Sequence, residues 1–531
     1  VRRCLIFEDE HLLVVNKPAG MNTHAPSPYA GEGIYEWLRH REPHWSKLAI
    51  IHRLDKETSG VMVFGKTPAA NRSLTEQFTN HGIRKSYRLL TDRPVRMGQL
   101  KAVSCLARAG ERYVSQPVRA GGERAETHFQ LLSTEPGRSV VLAEPVTGRT
   151  HQIRVHAREL GFPILGDTLY GGTPAPRVYL HAAELTLKHP VSGAEMKFTA
   201  PVDFDADARL ALREALIEEE ETNAWRLIHG AADGWPEWYV DRLGDYLLSQ
   251  GERPLSAEQK SELARLRERY SARGAYHKIL TRQVRGASLR QVSPQLALGE
   301  AASDVFVVRE NGVQFELSFA EGYSVGLFLD QRENRRRFLM NHVGAGFGGW
   351  MGNTPLKGAE VLNTFAYTCG FSVCAARAGA RTTSLDLSKK YLEWGKRNFA
   401  RNGIDPAQHD FIYGDTFDWL RRLARKNRAF DAVVLDPPTF SQSKEHGKFQ
   451  AEKDYGRLVR AALPVLKPNG VLFASTNAAR WEPEQFIESL TGAIRAAGRE
   501  IARQHYVPQP PDFRVHRDEP AYLKTIWLRV A

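Results

Sequence analysis

Apolar residues along the first 204 positions come in short runs, at 12–15, 61–64, 87–90 and 140–143, each broken off by Gly, Pro or charged residues. Runs this short, bounded by turn formers, predict strands, here of a mixed, mostly antiparallel sheet with long functional loops. Residues 205–222 switch to a helical spacing and close on Glu218, Glu219, Glu220 and Glu221, which predicts a linker helix with an acidic tip. From 223 to 335 the strand pattern returns around one polar helix over 256–273, with Ser256 and Glu258 near its start; this predicts a small β-rich domain. Within 336–531, apolar runs at 359–362, 383–387, 411–413, 432–435 and 471–474 alternate with helical stretches. That alternation predicts a doubly wound, Rossmann-like parallel sheet, so the expected fold class is multidomain, α+β followed by α/β.

Composition adds a direction rather than a fold. A chain of 531 residues, 42% hydrophobic and 25% charged, has material for about three cores. A net charge of +12 favours a polyanionic partner, because Lys and Arg beside phosphates release counterions. The cysteines at 4, 105, 369 and 374 include no Cys-x-x-Cys pair, which argues against a disulfide framework and against structural zinc. No metal is expected elsewhere either. Acidic residues appear by Glu8, too early for a signal-peptide core, and no run of about 18 apolar residues exists to span a membrane. The expected setting is cytoplasmic, with no membrane and no obligate protein partner.

The densest chemistry lies in Ile51-His52-Arg53-Leu54-Asp55-Lys56-Glu57-Thr58-Ser59-Gly60, just ahead of a strand. It has three companions: Asn16-Lys17-Pro18-Ala19-Gly20, the segment Gly148-Arg149-Thr150-His151-Gln152-Ile153-Arg154-Val155-His156, and Gly161-Phe162-Pro163-Ile164-Leu165-Gly166-Asp167 with Tyr170 beyond. With Lys85-Ser86-Tyr87 and Leu180-His181-Ala182, this set over residues 5–203 resembles the RluA-type pseudouridine synthases. The resemblance implies that Asp55 is the nucleophile, attacking at C6 or C1′, and that Arg154 pairs with it. It implies that Tyr87 stacks on the uracil and handles the C5 proton, and that Arg53 fills the gap left by an everted uridine. A nearby guanidinium would aim the carboxylate and favour its charged form. His52, His151 and His156 read as structural or hydrogen-bonding residues, and the isomerisation needs no cofactor.

A second centre follows the predicted strand at 359–362. Thr364-Phe365-Ala366-Tyr367-Thr368-Cys369-Gly370 is a small-residue turn opening a helix, where backbone N–H groups can approach a ligand. Acids end the next strands at Asp386-Leu387-Ser388, Gly414-Asp415 and Asp436-Pro437-Pro438-Thr439-Phe440. Such an edge suits an adenosyl ligand; NAD is the rival, and Asp-Pro-Pro favours S-adenosylmethionine. Residues 223–530 resemble class I ribosomal RNA methyltransferases of the RlmI and RlmK types, with 226–236 and 322–335 resembling their added RNA-binding region. The resemblance implies a cofactor site of Phe365, Gly370, Asp386, Ser388, Asp415, Asp436 and Pro437. Cys369 stands where that family has glycine. Methylating C5 of cytosine needs a thiolate, and neither 436–441 nor 475–480 contains cysteine. Guanine N7, already nucleophilic, is therefore the favoured acceptor, a preference the stretch 436–444 shares.

The basic groups Arg332, Arg335, Arg336, Arg337 and Arg84, Lys85, Arg88 lie beside these centres and are expected to meet phosphate. Arg421, Arg422, Arg425, Lys426 and Arg428 fit a solvated helix face equally well. The combined expectation is a bifunctional RNA-modifying enzyme acting on large-subunit ribosomal RNA. The alternatives are one active half with the other reduced to an RNA-binding module, a transfer RNA substrate, or cytosine as the methylated base.

Overall fold

The computed structural model describes residues 3–95, 98–120, 122–280, 292–321, 324–352, 358–443 and 447–531. Gly322, Tyr323 and Lys444, named in the motifs above, lie outside the described residues. Contacts divide the chain into two compact units, with the main boundary between Glu218 and Glu219.

The first unit is built on an eleven-stranded mixed sheet among the described residues. Its centre runs Leu12–Lys17, Ser59–Gly65, Leu180–Lys188, Arg84–Thr91, Arg138–Pro145 and Glu123–Glu135. Most neighbours are antiparallel, but Leu180–Lys188 runs parallel to Ser59–Gly65. Alternation decides the packing: Leu13, Val15, Met62 and Phe64 bury into one apolar cluster, and Leu12, Val14, Val61 and Val63 into another. The helix expected as a linker spans only Ala208–Leu216. Its Leu212 and Leu216 are buried with Leu13 and Trp37, so it belongs to this unit's core.

Among the described residues the second unit contains two large sheets and two two-stranded ones, Phe306–Glu310 with Val313–Leu317 and Phe440–Ser443 with Gly447–Gln450. Five strands from Ala224–His229 to Gln295–Gly299 form one large sheet, with helix Ala257–Arg269 capped by a reciprocal Ser256–Gln259 box. The other has seven strands in the order Asp410–Tyr413, Arg381–Asp386, Glu360–Thr364, Phe430–Leu435, Leu466–Thr476, Lys524–Val530, Ile501–Val507. The first five are parallel and the last two pairings antiparallel. Tyr246, Leu248 and Tyr276 of the five-stranded sheet share one buried cluster with Val361, Val434 and Trp527 of the seven-stranded one, so the smaller of the two is continuous with the larger core.

The arginine run before the large sheet corrects the expectation of phosphate contacts. Arg332, Arg335, Arg336 and Arg337 are all buried. Arg332 forks onto Asp512 at 2.6 and 2.9 Å, Arg335 onto Glu310 at 2.6 and 2.7 Å, and Arg337 donates to the carbonyls of Glu333 and Val343. A guanidinium taken out of water must find acceptors inside the protein, and these did.

Candidate active sites

In the first unit the loop carrying Asp55 is tied down from below. Thr23 Oγ1 accepts from Leu54 N at 3.1 Å and donates to its carbonyl at 2.8 Å, Gly20 N donates to the Lys56 carbonyl at 2.8 Å, and Thr58 N closes on the Asp55 carbonyl at 3.1 Å. Lys17 has no solvent exposure, and its ammonium donates to the carbonyls of Met21 (2.7 Å), Pro18 (3.0 Å) and Lys56 (3.3 Å). Three donors meet three carbonyls, which explains how a lysine tolerates burial. Burial still pulls its ammonium down to about 7, against the attraction of Glu57 and Asp55. The Asn-Lys-Pro-Ala-Gly segment is thus the floor of the loop, a role its sequence position did not disclose.

Asp55 itself is 27% exposed, reachable but walled on one side. Arg154 Nη1 approaches its Oδ2 at 3.4 Å. The tighter partner of Arg154 is Asp167, bonded to Nε at 2.7 Å and Nη2 at 2.8 Å and only 1% exposed. Two carboxylates thus flank one buried guanidinium, the inner fixing its plane and the outer left accessible. His151 Nε2 lies 3.8 Å from the same Asp55 oxygen, while its Nδ1 bonds the Tyr170 hydroxyl at 2.7 Å. The Tyr170 ring also lies under Arg154 at 5.1 Å. Asp167, His151 and Tyr170 join this corner; the sequence motifs contain all three, but roles in the reaction were expected of Asp55, Arg154, Tyr87 and Arg53.

Tyr87 reaches this corner through sheet register. Gly60, five residues beyond Asp55, pairs with Ala182, which pairs on its other side with Tyr87, which pairs in turn with Ala143. Gly60 has φ +120°, and a Cβ there would sit 2.2 Å from the Ala182 carbonyl oxygen; glycine is what lets these strands close. Burial, aided by the charge of Asp55, pushes the Tyr87 hydroxyl far above its ordinary pKa, so the phenol keeps its proton. Arg53 is exposed, with no hydrogen-bond or ion-pair partner among the described residues. Of the neighbouring basic residues, Arg84 pairs with Glu195, Lys85 is half-buried and reaches the Thr147 carbonyl, and Arg88 is exposed. His52 stacks on Phe78 and accepts from Val63 N, and His156 bridges Ser104 and Thr127; both hold structure.

In the second unit the candidate residues gather at the carboxyl edge of the parallel strands. Phe365, Tyr367 and Cys369 all have left-handed backbone, with φ of 55°, 50° and 64°. This alternation curls the turn so that Tyr367 N donates to Asp386 Oδ2 at 2.8 Å, while Ser388 N donates to Oδ1 at 2.8 Å. The Cys369 side chain is fully buried and points at Gly395, where a Cβ would lie 2.3 Å from its sulfur. A glycine on the neighbouring helix therefore makes room for the departure at 369. Gly370 opens helix Gly370–Arg377, and a Cβ there would press on Arg335 Cδ at 3.1 Å. The Ser388 hydroxyl caps the helix after it, and Asp415 Oδ1 caps Thr416–Arg425 by accepting from Phe417 N and Asp418 N. Pro437 is buried. Asp436 bonds the Ser475 hydroxyl and, at 3.4 Å, the Gln331 amide. Burial pushes its carboxyl up to about 6, with Asp330 adding to the shift.

Residues 225–529 match the family model described as S-adenosylmethionine-dependent methyltransferase. The chain belongs to that methyltransferase family. Residues 11–159 match a second model, RNA pseudouridylate synthase, so one chain carries a pseudouridine synthase and a methyltransferase. Over 334 residues the chain is 34% identical to a Deinococcus radiodurans protein called ribosomal RNA large subunit methyltransferase, covering 61% of this chain and 78% of that one. Over 214 residues it is 40% identical to ribosomal large subunit pseudouridine synthase C of Yersinia pestis, 38% of this chain and 66% of that protein. A solved structure of a candidate SAM-dependent methyltransferase from Streptococcus mutans superposes with TM-score 0.51 at 26% identity, over 65% of this chain and 87% of that one.

The methyltransferase unit uses S-adenosylmethionine, which supplies a methyl group carried on a sulfonium. Its turn fits that group: a curled backbone faces a carboxylate already fixed by two N–H donors, and burial raises the Asp386 carboxyl, so a ligand's hydroxyls would find it in need of further donors. Replacing Asp386 by Asn should weaken S-adenosylmethionine binding about 100-fold by calorimetry. Unchanged affinity would place the ribose elsewhere.

Proposed function

We propose that this chain modifies large-subunit ribosomal RNA twice, isomerising a uridine to pseudouridine with its first unit and methylating guanine N7 with its second. The observation that carries the first half is Asp55, accessible on one face and matched by a guanidinium that Asp167 holds in plane. Pseudouridine formation breaks C1′–N1, turns the uracil and joins C1′ to C5. In this proposal Asp55 is the covalent anchor during the turn, Arg154 steadies its charge, and the protonated Tyr87 meets the base. Arg53, exposed and without a hydrogen-bond or ion-pair partner among the described residues, fills the gap left by the everted uridine in this proposal.

For the second half, the thiols speak against cytosine C5. All four cysteines are buried, and burial pushes Cys369 up to about 12 and Cys374 higher still, so neither offers a thiolate at neutral pH. A guanine N7 lone pair needs only orientation toward the sulfonium. Phe365, Asp386, Ser388, Asp415, Asp436 and Pro437 are the cofactor edge in this proposal. The ribosomal names of the relatives support the choice of substrate.

Mass mapping of ribosomal RNA from a deletion strain should show one pseudouridine and one 7-methylguanosine lost from the large subunit. A missing 5-methylcytidine, or changes confined to transfer RNA, would overturn the acceptor or the substrate. A pH profile gives a separate check. Because the Asp436 carboxyl is raised to about 6, it is protonated below that pH and charged above. Methyl transfer should therefore rise as pH increases through about 6, and Asp436→Asn should flatten that limb.

A further inference from the structure

The turn between strand Arg138–Pro145 and helix Gln152–Glu159 is pinned by one side chain. Gln152 Oε1 accepts from the Thr147 hydroxyl at 2.6 Å and from Arg149 N at 3.0 Å, while its Nε2 donates to the Glu126 carbonyl and to Thr127 Oγ1, both at 2.9 Å. His151, just ahead of it, takes left-handed backbone with φ 56°, which a residue with a Cβ adopts only at a cost. Its imidazole stands edge-on between the rings of Tyr113 and Tyr170, with each centroid 5.6 Å away. Turn and rings together hold this side chain against Asp55.

Hydrogen bonding fixes where the protons around the imidazole lie. Tyr113 N donates to the Tyr170 phenol oxygen at 2.9 Å. Burial raises the Tyr170 hydroxyl, so the phenol keeps its own proton, and the acceptor in reach among the described residues is His151 Nδ1, at 2.7 Å. A ring that accepts at Nδ1 carries its proton on Nε2. Burial holds the imidazole below its ordinary pKa, with Asp55 pulling upward and Arg154 downward, so the ring is neutral at neutral pH. The Nε2–H therefore faces Asp55, whose Oδ2 lies 3.8 Å away. The same Oδ2 meets Arg154 Nη1 at 3.4 Å. Oδ1 has no hydrogen-bond or ion-pair partner among the described residues.

Resting on the reading of Asp55 as the covalent anchor, we propose that His151 is a positioning residue for that carboxylate: with Arg154 it holds Oδ2 inward and leaves Oδ1 to bond the substrate. The bond forms from an Oδ1 lone pair. Attack at C1′ sends the C1′–N1 pair onto the uracil, and attack at C6 sends the C5–C6 π pair toward the C4 carbonyl. Breaking the adduct returns the C–O pair to Oδ1, and His151 keeps its proton throughout. In the adduct Oδ2 is a carbonyl oxygen; as the adduct breaks, negative charge returns to the carboxylate and two N–H donors meet it there. Closing Nε2 from 3.8 Å to bonding distance takes under about 1 Å. Tyr170 acts one step further out. Without its hydroxyl Nδ1 is free to take the proton, and Nε2 then turns a lone pair toward a carboxylate.

The test uses the full chain and large-subunit ribosomal RNA from a deletion strain, labelled with tritium at uridine C5, whose release reads isomerisation in single turnovers. His151→Leu should slow that step about 30-fold at saturating RNA, with the half-saturating concentration held within about threefold. His151→Gln keeps an N–H near the place of Nε2 and should recover to within about fivefold of the native rate. Tyr170→Phe keeps the ring beside Arg154; it should cost about 10-fold alone and under about twofold when added to either His151 variant. The last comparison holds with the Gln variant even if His151→Leu does not fold. A His151→Leu rate within about threefold of native, a loss seen only in RNA affinity, or no recovery in His151→Gln would overturn the assignment. So would a Tyr170→Phe cost that is the same in every background, the mark of independent packing residues. Pseudouridine formed at the native rate by Asp55→Asn, or none formed by the native chain, would sink the underlying reading instead.

Discussion

Asp55→Asn is expected to abolish pseudouridine formation, a loss of about five orders of magnitude or more, while methylation by the same polypeptide continues. Asparagine is close to isosteric with aspartate, so the Thr23, Lys17 and Gly20 contacts that hold the loop backbone are untouched. What disappears is the negative charge facing Arg154 and the oxygen able to form and release a bond to the substrate. Substrate binding should change little, because the groups gripping the nucleotide remain. Reverse-transcription stops after carbodiimide treatment read the pseudouridine, and tritium from labelled S-adenosylmethionine reads the methyl group. Residual isomerisation within 100-fold of the native rate would make Asp55 a positioning group. Loss of both products would show that the two chemistries are not independent.

Asp167→Ala is expected to have the largest effect on stability. Arg154 is 7% exposed and Asp167 1%, and the pair shares two short bonds. Removing the carboxylate strands a guanidinium in a place water does not reach, and the remaining partner, Asp55, stands 3.4 Å away on the solvent side. Breaking a buried pair in this one-sided way costs about 3–5 kcal/mol. For a unit of this size that lowers its melting transition by roughly 10 °C. Pseudouridine formation should fall as well, even below the transition, because Arg154 would swing toward Asp55 and cover the oxygen that must react. Calorimetry resolves the melting step, and the rate is measured well below it. A shift of less than about 3 °C would mean that Asp55 or solvent takes over as counter-ion.

Much of the site could be read before any coordinates because its parts are contiguous. The loop from His52 to Gly60, the segment from Gly148 to His156, and the acids closing successive strands at Asp386, Asp415 and Asp436 each lie within one element and its turn. Local sequence dictates local geometry there: a strand must end for the chain to turn, and the turn is where a side chain becomes available to a ligand. The strand runs were legible for the same reason, since period-two burial is written into consecutive residues.

Pairings between distant segments were not legible. Arg332, Arg335, Arg336 and Arg337 look like a phosphate-binding stripe in one dimension, yet Arg332 finds Asp512 across 180 positions and Arg335 finds Glu310 across 25. Likewise Arg154 was matched to Asp55, 99 positions away, by resemblance, while its closer partner Asp167 went unassigned. Composition reports a charge but not its counter-charge, because burial and pairing are properties of the folded chain. Residue types and their order specified the chemistry on offer; three-dimensional closeness decided which charges neutralise one another inside and which stay open to RNA.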